Sequence, residues 1–144
     1  MLTLTSEYAL RALIYLAQHP DAGSIPGRQI AEHAEIPPKY LSKILGDLVR
    51  FGVLDSSPGK TGGFRLRRSA KETTLYEILA PFEQFDRRRC PFGNMECSDQ
   101  DPCFAHRRWK QVIDTERRFL RETSISEVAF REQRRRNGSK TMGK

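Results

Sequence analysis

No apolar run in the chain approaches the roughly 20 residues that a bilayer span requires. The opening "MLTLTSEYALRALIYLAQHP" has neither a basic leader nor a small-residue cleavage site. Both absences lead to the expectation of a cytoplasmic chain with no membrane association. There are only three cysteines, an odd number that does not suit the paired framework of a small secreted domain. The chain has no internal repeat and no phosphate loop. Nor does it show a nucleophile–base pattern or paired carboxylates in a pocket-like context, so the expectation is that it is not an enzyme. Acids are the minority: 18 Asp+Glu stand against 25 Lys+Arg, a net charge of +7 over 144 residues. Such a surplus favours a polyanionic partner, most often nucleic acid. The length allows one domain with a modest core and an appended helix.

What is present is helical periodicity, punctuated by proline and glycine. "TSEYALRALIYLAQHP" predicts a first helix with Thr5 or Ser6 as N-cap, ending before Pro20. Ala9, Leu10, Leu13, Ile14, Leu16 and Ala17 form its broad apolar face. A short second helix starts at about Pro26, with Ile30, Ala31 and Ala34 inward. The third has Pro37 and Pro38 in its first turn, Leu41, Ile44, Leu45 and Leu48 at spacings of three and four, and Gly52 as its stop. Strand-like pieces at 53–56 and 64–67 flank the turn "PGKTGG", a hairpin signal. Thr74 caps a helix stopped or bent at Pro81. A long helical pattern runs from Pro102 to Thr123, and Ser124 with Glu127 forms a capping box before a basic, disordered tail.

Two helices joined by a short turn and followed by a basic hairpin give the winged form of the helix-turn-helix. The predicted fold is mainly α: a winged-helix domain over residues 1–85, a cysteine loop over 86–106, a dimerisation helix region over 107–133 and the tail over 134–144. A helix that enters the major groove needs polar groups at its N-terminal end, and a wing needs cations beside phosphate. Lys39, Tyr40, Ser42 and Lys43 meet the first need. Lys60, Thr61 and Arg65 meet the second, and Arg28 is placed to reach an adjacent phosphate. Gly59, Gly62 and Gly63 let the wing backbone approach a duplex closely. Taken singly, each of these is more often an ordinary solvated side chain, and a helix-turn-helix can also serve as a protein-interaction module. Their joint placement at the three contact sites favours DNA.

All three thiols fall within "CPFGNMECSDQDPCFAH", residues 90–106. Cys90, Cys97 and Cys103 are separated more widely than the C-x₂₋₄-C knuckle of common zinc fingers, which suits a larger object wrapped by an irregular loop. Asp101 as N-cap and Pro102 at the first helical position place Cys103 just inside a helix, with His106 three residues on and on the same face. Arg87, Arg88 and Arg89 are positioned to offset thiolate charge, and Pro91, Gly93 and Pro102 keep the loop irregular. Trp109 reads as a core or interface anchor. A structural Cys₃His zinc and a metal-free cysteine redox switch remain open on these residues alone.

"LTSEYALRAL", "IPPKYLSKILGDLVRFGVLDSSPGKTGGFRL" and "CPFGNMECSDQDPCFAHRRW" together resemble one family. It is the iron–sulfur winged-helix transcriptional regulators that include IscR and NsrR, and the resemblance covers roughly residues 1–130. It implies a cytoplasmic homodimer, expected to be a repressor, on a pseudo-palindromic double-stranded operator. It also implies an iron–sulfur cluster ligated by Cys90, Cys97 and Cys103. His106 matches the fourth ligand of IscR-like members with a two-iron, two-sulfur cluster, the favoured type. Glu7 from the partner subunit matches the acidic ligand of NsrR-like members, which leaves a four-iron, four-sulfur cluster open. The first cysteine gap is one residue longer than the IscR type, and Ser42 stands where IscR has an acidic residue. The signal (nitric oxide, oxygen, iron or redox state) stays open.

Overall fold

The computed structural model describes residues 2–85, 90–92 and 97–130. Helix α1 (Leu4–Ala17) starts upstream of the expected Thr5 or Ser6 cap, because Thr3 is the N-cap and accepts from the Ser6 N–H at 3.3 Å. The reason is a distant partner. Glu83 Oε1 accepts from the Ser6 hydroxyl at 2.6 Å, the Thr3 N–H at 2.7 Å and the Thr3 hydroxyl at 2.9 Å, so Ser6 is buried inside the helix. Ala9, Ala12, Leu13 and Leu16 form the buried stripe of α1.

Burial pushes the Glu83 carboxyl up, but the hydrogen bonds from Ser6 and Thr3 outweigh it and hold the pKa below its usual value. A carboxyl depressed in the folded state stabilises the fold above its unfolded pKa, and that contribution is lost as pH falls through the folded value. Glu83→Gln is therefore expected to lower stability by about 1 kcal/mol at neutral pH. The gap between variant and parent should close as urea unfolding is repeated below about pH 4. A gap that is constant with pH would remove the carboxylate from the account.

Helix α2 (Gly27–Ala34) turns sharply into α3 (Pro38–Arg50). Glu35 takes the left-handed conformation at φ 54°, the Ile36 N–H donates to Ala31 at 3.0 Å, and the Arg11 guanidinium donates to the Ala34 carbonyl. Ile36 is buried at this corner, and Pro38 opens α3 at a position that needs no N–H. Leu41, Ile44, Leu45 and Leu48 face the core as the spacing predicts. Gly52 at φ 78° ends the helix, as expected, and the Val53 N–H returns to Leu48 at 2.9 Å.

Strands β1 (Leu54–Ser57) and β2 (Gly63–Leu66) pair antiparallel, with Asp55 opposite Arg65. They correct the expected hairpin pieces by one residue. The hairpin is tied to the α1–α2 connection, where Ile25 and Phe64 exchange backbone hydrogen bonds at 2.9 and 2.8 Å. At Gly63 a Cβ would lie 2.2 Å from the Ile25 carbonyl oxygen, and at Gly62 2.1 Å from that of Ser57. Gly62 is thus required by the hairpin's own closure and Gly63 by its docking on the α1–α2 connection, roles separate from approach to a duplex.

Thr74 and Glu77 form a capping box on α4 (Leu75–Leu79), which ends before Pro81 as predicted. Helix α5 (His106–Glu122) begins later than the expected Pro102 start. Asp101 does not cap it and Cys103 precedes it, since residues 101–105 are not helical and Ala105 is the N-cap. Beyond α5 the Ser124–Glu127 capping box is formed, and residues 125–130 are helical. The chain is sewn back onto the domain there. Leu75 N–H donates to Thr123 at 2.9 Å, Ile125 N–H to Thr73 at 2.9 Å and Ser126 N–H to Ala70 at 3.0 Å. Leu120 and Ile125 join Leu75, Ile78 and Leu79 in one core with α1 and α3. The expected tail, Arg87–Arg89 and Gly93 lie outside the described residues.

Candidate nucleic-acid interface and cysteine site

The apolar face of α3 dictates what its other face presents. With Leu41, Ile44, Leu45 and Leu48 buried, Lys39, Tyr40, Ser42 and Lys43 are all exposed. Tyr40 is partly engaged within the domain: its hydroxyl lies 2.6 Å from Thr5 Oγ1 and its ring meets Tyr8 edge-on at 5.5 Å. Lys39 and Lys43 make no ion pair among the described residues. Neither does Lys60, which is exposed with Thr61 at the tip of the hairpin. Arg65 is exposed as well, but Asp55 across the ladder lies 3.8 Å from it while also holding Arg67 at 2.9 Å. Arg28 is exposed at the start of α2 and pairs with Glu32 at 3.2 Å. Of these five cations, Lys39, Lys43 and Lys60 have no ion pair among the described residues, while Arg28 and Arg65 are already weakly committed.

The cysteine segment closes on the start of α5. Cys90 Sγ and Cys103 Sγ are 3.6 Å apart. Cys97 Sγ lies 3.1 Å from His106 Nδ1. The expected shared helical face of Cys103 and His106 is corrected, because α5 starts only at His106, and the imidazole contact is with Cys97. All three cysteines are half-buried and none is in a disulfide, while His106 is 8% exposed. Phe92 packs edge-on against Trp109 at 5.9 Å, so the tryptophan anchors the loop to α5. Glu7 is exposed in the first turn of α1.

The residues that sequence reasoning missed are Asp99 and Lys110. Asp99 Oδ1 is 2.8 Å from His106 Nε2, and Lys110 Nζ is 2.9 Å from both Asp99 oxygens. Hydrogen bonds from Lys110 and then His106 hold the Asp99 carboxyl down to about 2. The available signal was the i,i+4 spacing of His106 and Lys110 on one helix.

Among the described residues no three His, Cys, Asp or Glu side chains close around a single metal-ion position. The four sulfur and nitrogen donors form two close pairs. Three half-buried cysteines and one buried imidazole, all within residues 90–106, are nevertheless a donor set that fits an iron–sulfur group.

A helix-turn-helix with a short antiparallel wing, exposing cations on the third helix and at the wing tip, defines a winged-helix DNA-binding protein. The family model described as "Iron-dependent Transcriptional regulator", Rrf2, matches residues 2–131. The chain belongs to the Rrf2 family and is a DNA-binding transcriptional regulator, not an enzyme. It is 31% identical over 128 residues to the HTH-type transcriptional regulator IscR of Photorhabdus laumondii, covering 88% of this chain and 77% of that one. Two solved structures share its fold. CymR, the global cysteine regulator of B. subtilis, matches with a TM-score of 0.75 at 21% identity, over 90% of this chain and 95% of that one. T. potens IscR matches with a TM-score of 0.72 at 20% identity, over 89% and 85%. Among the described residues no helix is long and apolar enough to cross a membrane.

Proposed function

We propose that this regulator is a cytoplasmic homodimer that represses from a pseudo-palindromic operator and is controlled by an iron–sulfur cluster held by Cys90, Cys97, Cys103 and His106. The observation that carries the reading is the pairing of the three thiols and one imidazole, Cys90 with Cys103 at 3.6 Å and Cys97 with His106 at 3.1 Å, His106 being the first residue of α5. Such a cluster, when bound, supplies a redox- and ligand-responsive centre whose potential a histidine ligand raises. The geometry favours His106 over Glu7, since the imidazole already faces a cysteine within its own chain. Val112 and Phe119, two turns apart on α5 and both more than half exposed, support a second copy packing along that helix. Lys39, Tyr40, Ser42 and Lys43 read the operator, while Lys60, Thr61, Arg65 and Arg28 hold its phosphates.

Control works through α5. Occupancy of the loop biases how the helix sits against the winged helix, and it shifts DNA binding only by the difference in affinity between the two arrangements. The test is the visible spectrum of protein purified without oxygen, with iron, sulfide and zinc analysis. A brown protein with matching iron and sulfide, whose colour is lost in Cys97→Ala, is the expected result. One zinc per chain in a colourless protein would make the loop a structural clip. A metal-free chain that loses two thiols on mild oxidation would favour a redox switch between Cys90 and Cys103. Either result overturns the cluster reading while leaving DNA binding in place.

A further inference from the structure

The geometry points to Asp99 as a positioning residue that fixes the His106 imidazole with its proton on Nε2 and its Nδ1 lone pair turned to Cys97, with Lys110 locking Asp99 in place. An ionised carboxylate is acceptor-only, so an Asp99 oxygen 2.8 Å from Nε2 requires that nitrogen to donate. A neutral imidazole carries one N–H, which leaves Nδ1, 3.1 Å from Cys97 Sγ, as the basic nitrogen. Lys110 is one turn beyond His106 on α5. Its ammonium bridges both carboxylate oxygens at 2.9 Å, so imidazole, carboxylate and ammonium are referred to the same helix. His106 is almost fully buried while Asp99 is exposed. The ring is held by packing and its tautomer by the carboxylate. Metal-ligating histidines commonly donate their second ring N–H to a carboxylate, which sets ring orientation and raises basicity. The inference rests on His106 as the fourth ligand and deepens that reading by naming what orients it.

The test begins on full-length, metal-free protein, where ¹⁵N NMR of the histidine ring at alkaline pH reports which nitrogen lacks a proton. The parent is expected to show an unprotonated Nδ1. In Asp99→Asn, Lys110 takes the amide oxygen, the amide nitrogen is left to donate to Nε2, and the imidazole proton moves to Nδ1. Asp99→Glu is expected to restore the parent pattern. In reconstituted protein, Asp99→Asn should release iron to a chelator about ten- to a hundredfold faster than the parent, and Asp99→Glu should recover most of that loss. Lys110→Met, which leaves the Asp99–His106 contact intact, should give a smaller acceleration. An Nδ1–H in the parent, or a tautomer unchanged by Asp99→Asn, overturns the proposal. The tautomer is read with no iron present, so failure of the cluster reading shows separately, as a colourless reconstituted parent whose metal-free tautomer is nonetheless the expected one.

Discussion

Replacing Lys39 and Lys43 together with alanine is expected to weaken binding to an operator duplex, selected with the parent protein, on the order of a hundredfold. Each lysine is asked to supply about 1–1.5 kcal/mol, at the modest end for a groove or phosphate contact. Both stand on the face of α3 opposite Leu41, Ile44 and Leu48, and neither spends its charge on an ion pair among the described residues. Fluorescence anisotropy across a salt series separates their roles. A lysine on phosphate lowers the slope of log K against log salt by about one, whereas a lysine on a base edge changes sequence preference more than slope. Arg65→Ala is expected to cost less than either lysine, because Asp55 at 3.8 Å already competes for that guanidinium. Iron content should be the same in all these variants. Parent-like affinity in the double lysine variant would remove α3 as the reading helix.

The second large effect is on stability. Leu48→Ala is expected to destabilise the fold by about 2–5 kcal/mol, the cost of deleting a fully buried leucine and leaving a partly relaxed cavity. Leu48 is 0% exposed, and its carbonyl accepts the N–H that turns the chain from α3 into β1. A domain of this size has roughly 5–15 kcal/mol in total, so the variant sits near the edge of folding at 37 °C. Urea titration should show a lower midpoint with an unchanged slope. A loss below about 1 kcal/mol would mean that the contact between α3 and the hairpin is looser than its burial implies.

The winged helix is legible in the sequence because its signals are local. Apolar spacing on α1 to α3, Pro38 at a first helical turn, Gly52 at a left-handed stop and the glycines of the hairpin each act over a few residues. What was missed depends on distant partners. Ser6 looks like a cap but is claimed by Glu83, so the helix starts from Thr3 instead. Asp101 and Pro102 form a good local helix start that the chain does not use, and α5 waits until His106. The imidazole contact is with Cys97. No periodicity argument shows it, because the ring direction depends on where the first helical turn falls. Asp99 escaped for the same reason: an acid two residues after a cysteine has no meaning until His106 and Lys110 are placed beside it.

Helix α5 carries His106 at one end and, at the other, a return to the domain through backbone bonds from Leu75, Ile125 and Ser126. Its 17 residues make a beam about 25 Å long. A beam clamped at its far end transmits motion unevenly. A sideways push of about 1 Å at the imidazole tilts the clamped end by only about 2°, whereas sliding or rolling along the axis arrives undiminished. The clamp is three backbone hydrogen bonds, from the N–H groups of Leu75, Ile125 and Ser126. Geometrically, a push or twist along the beam reaches its far end, while sway across it is reduced to a small tilt.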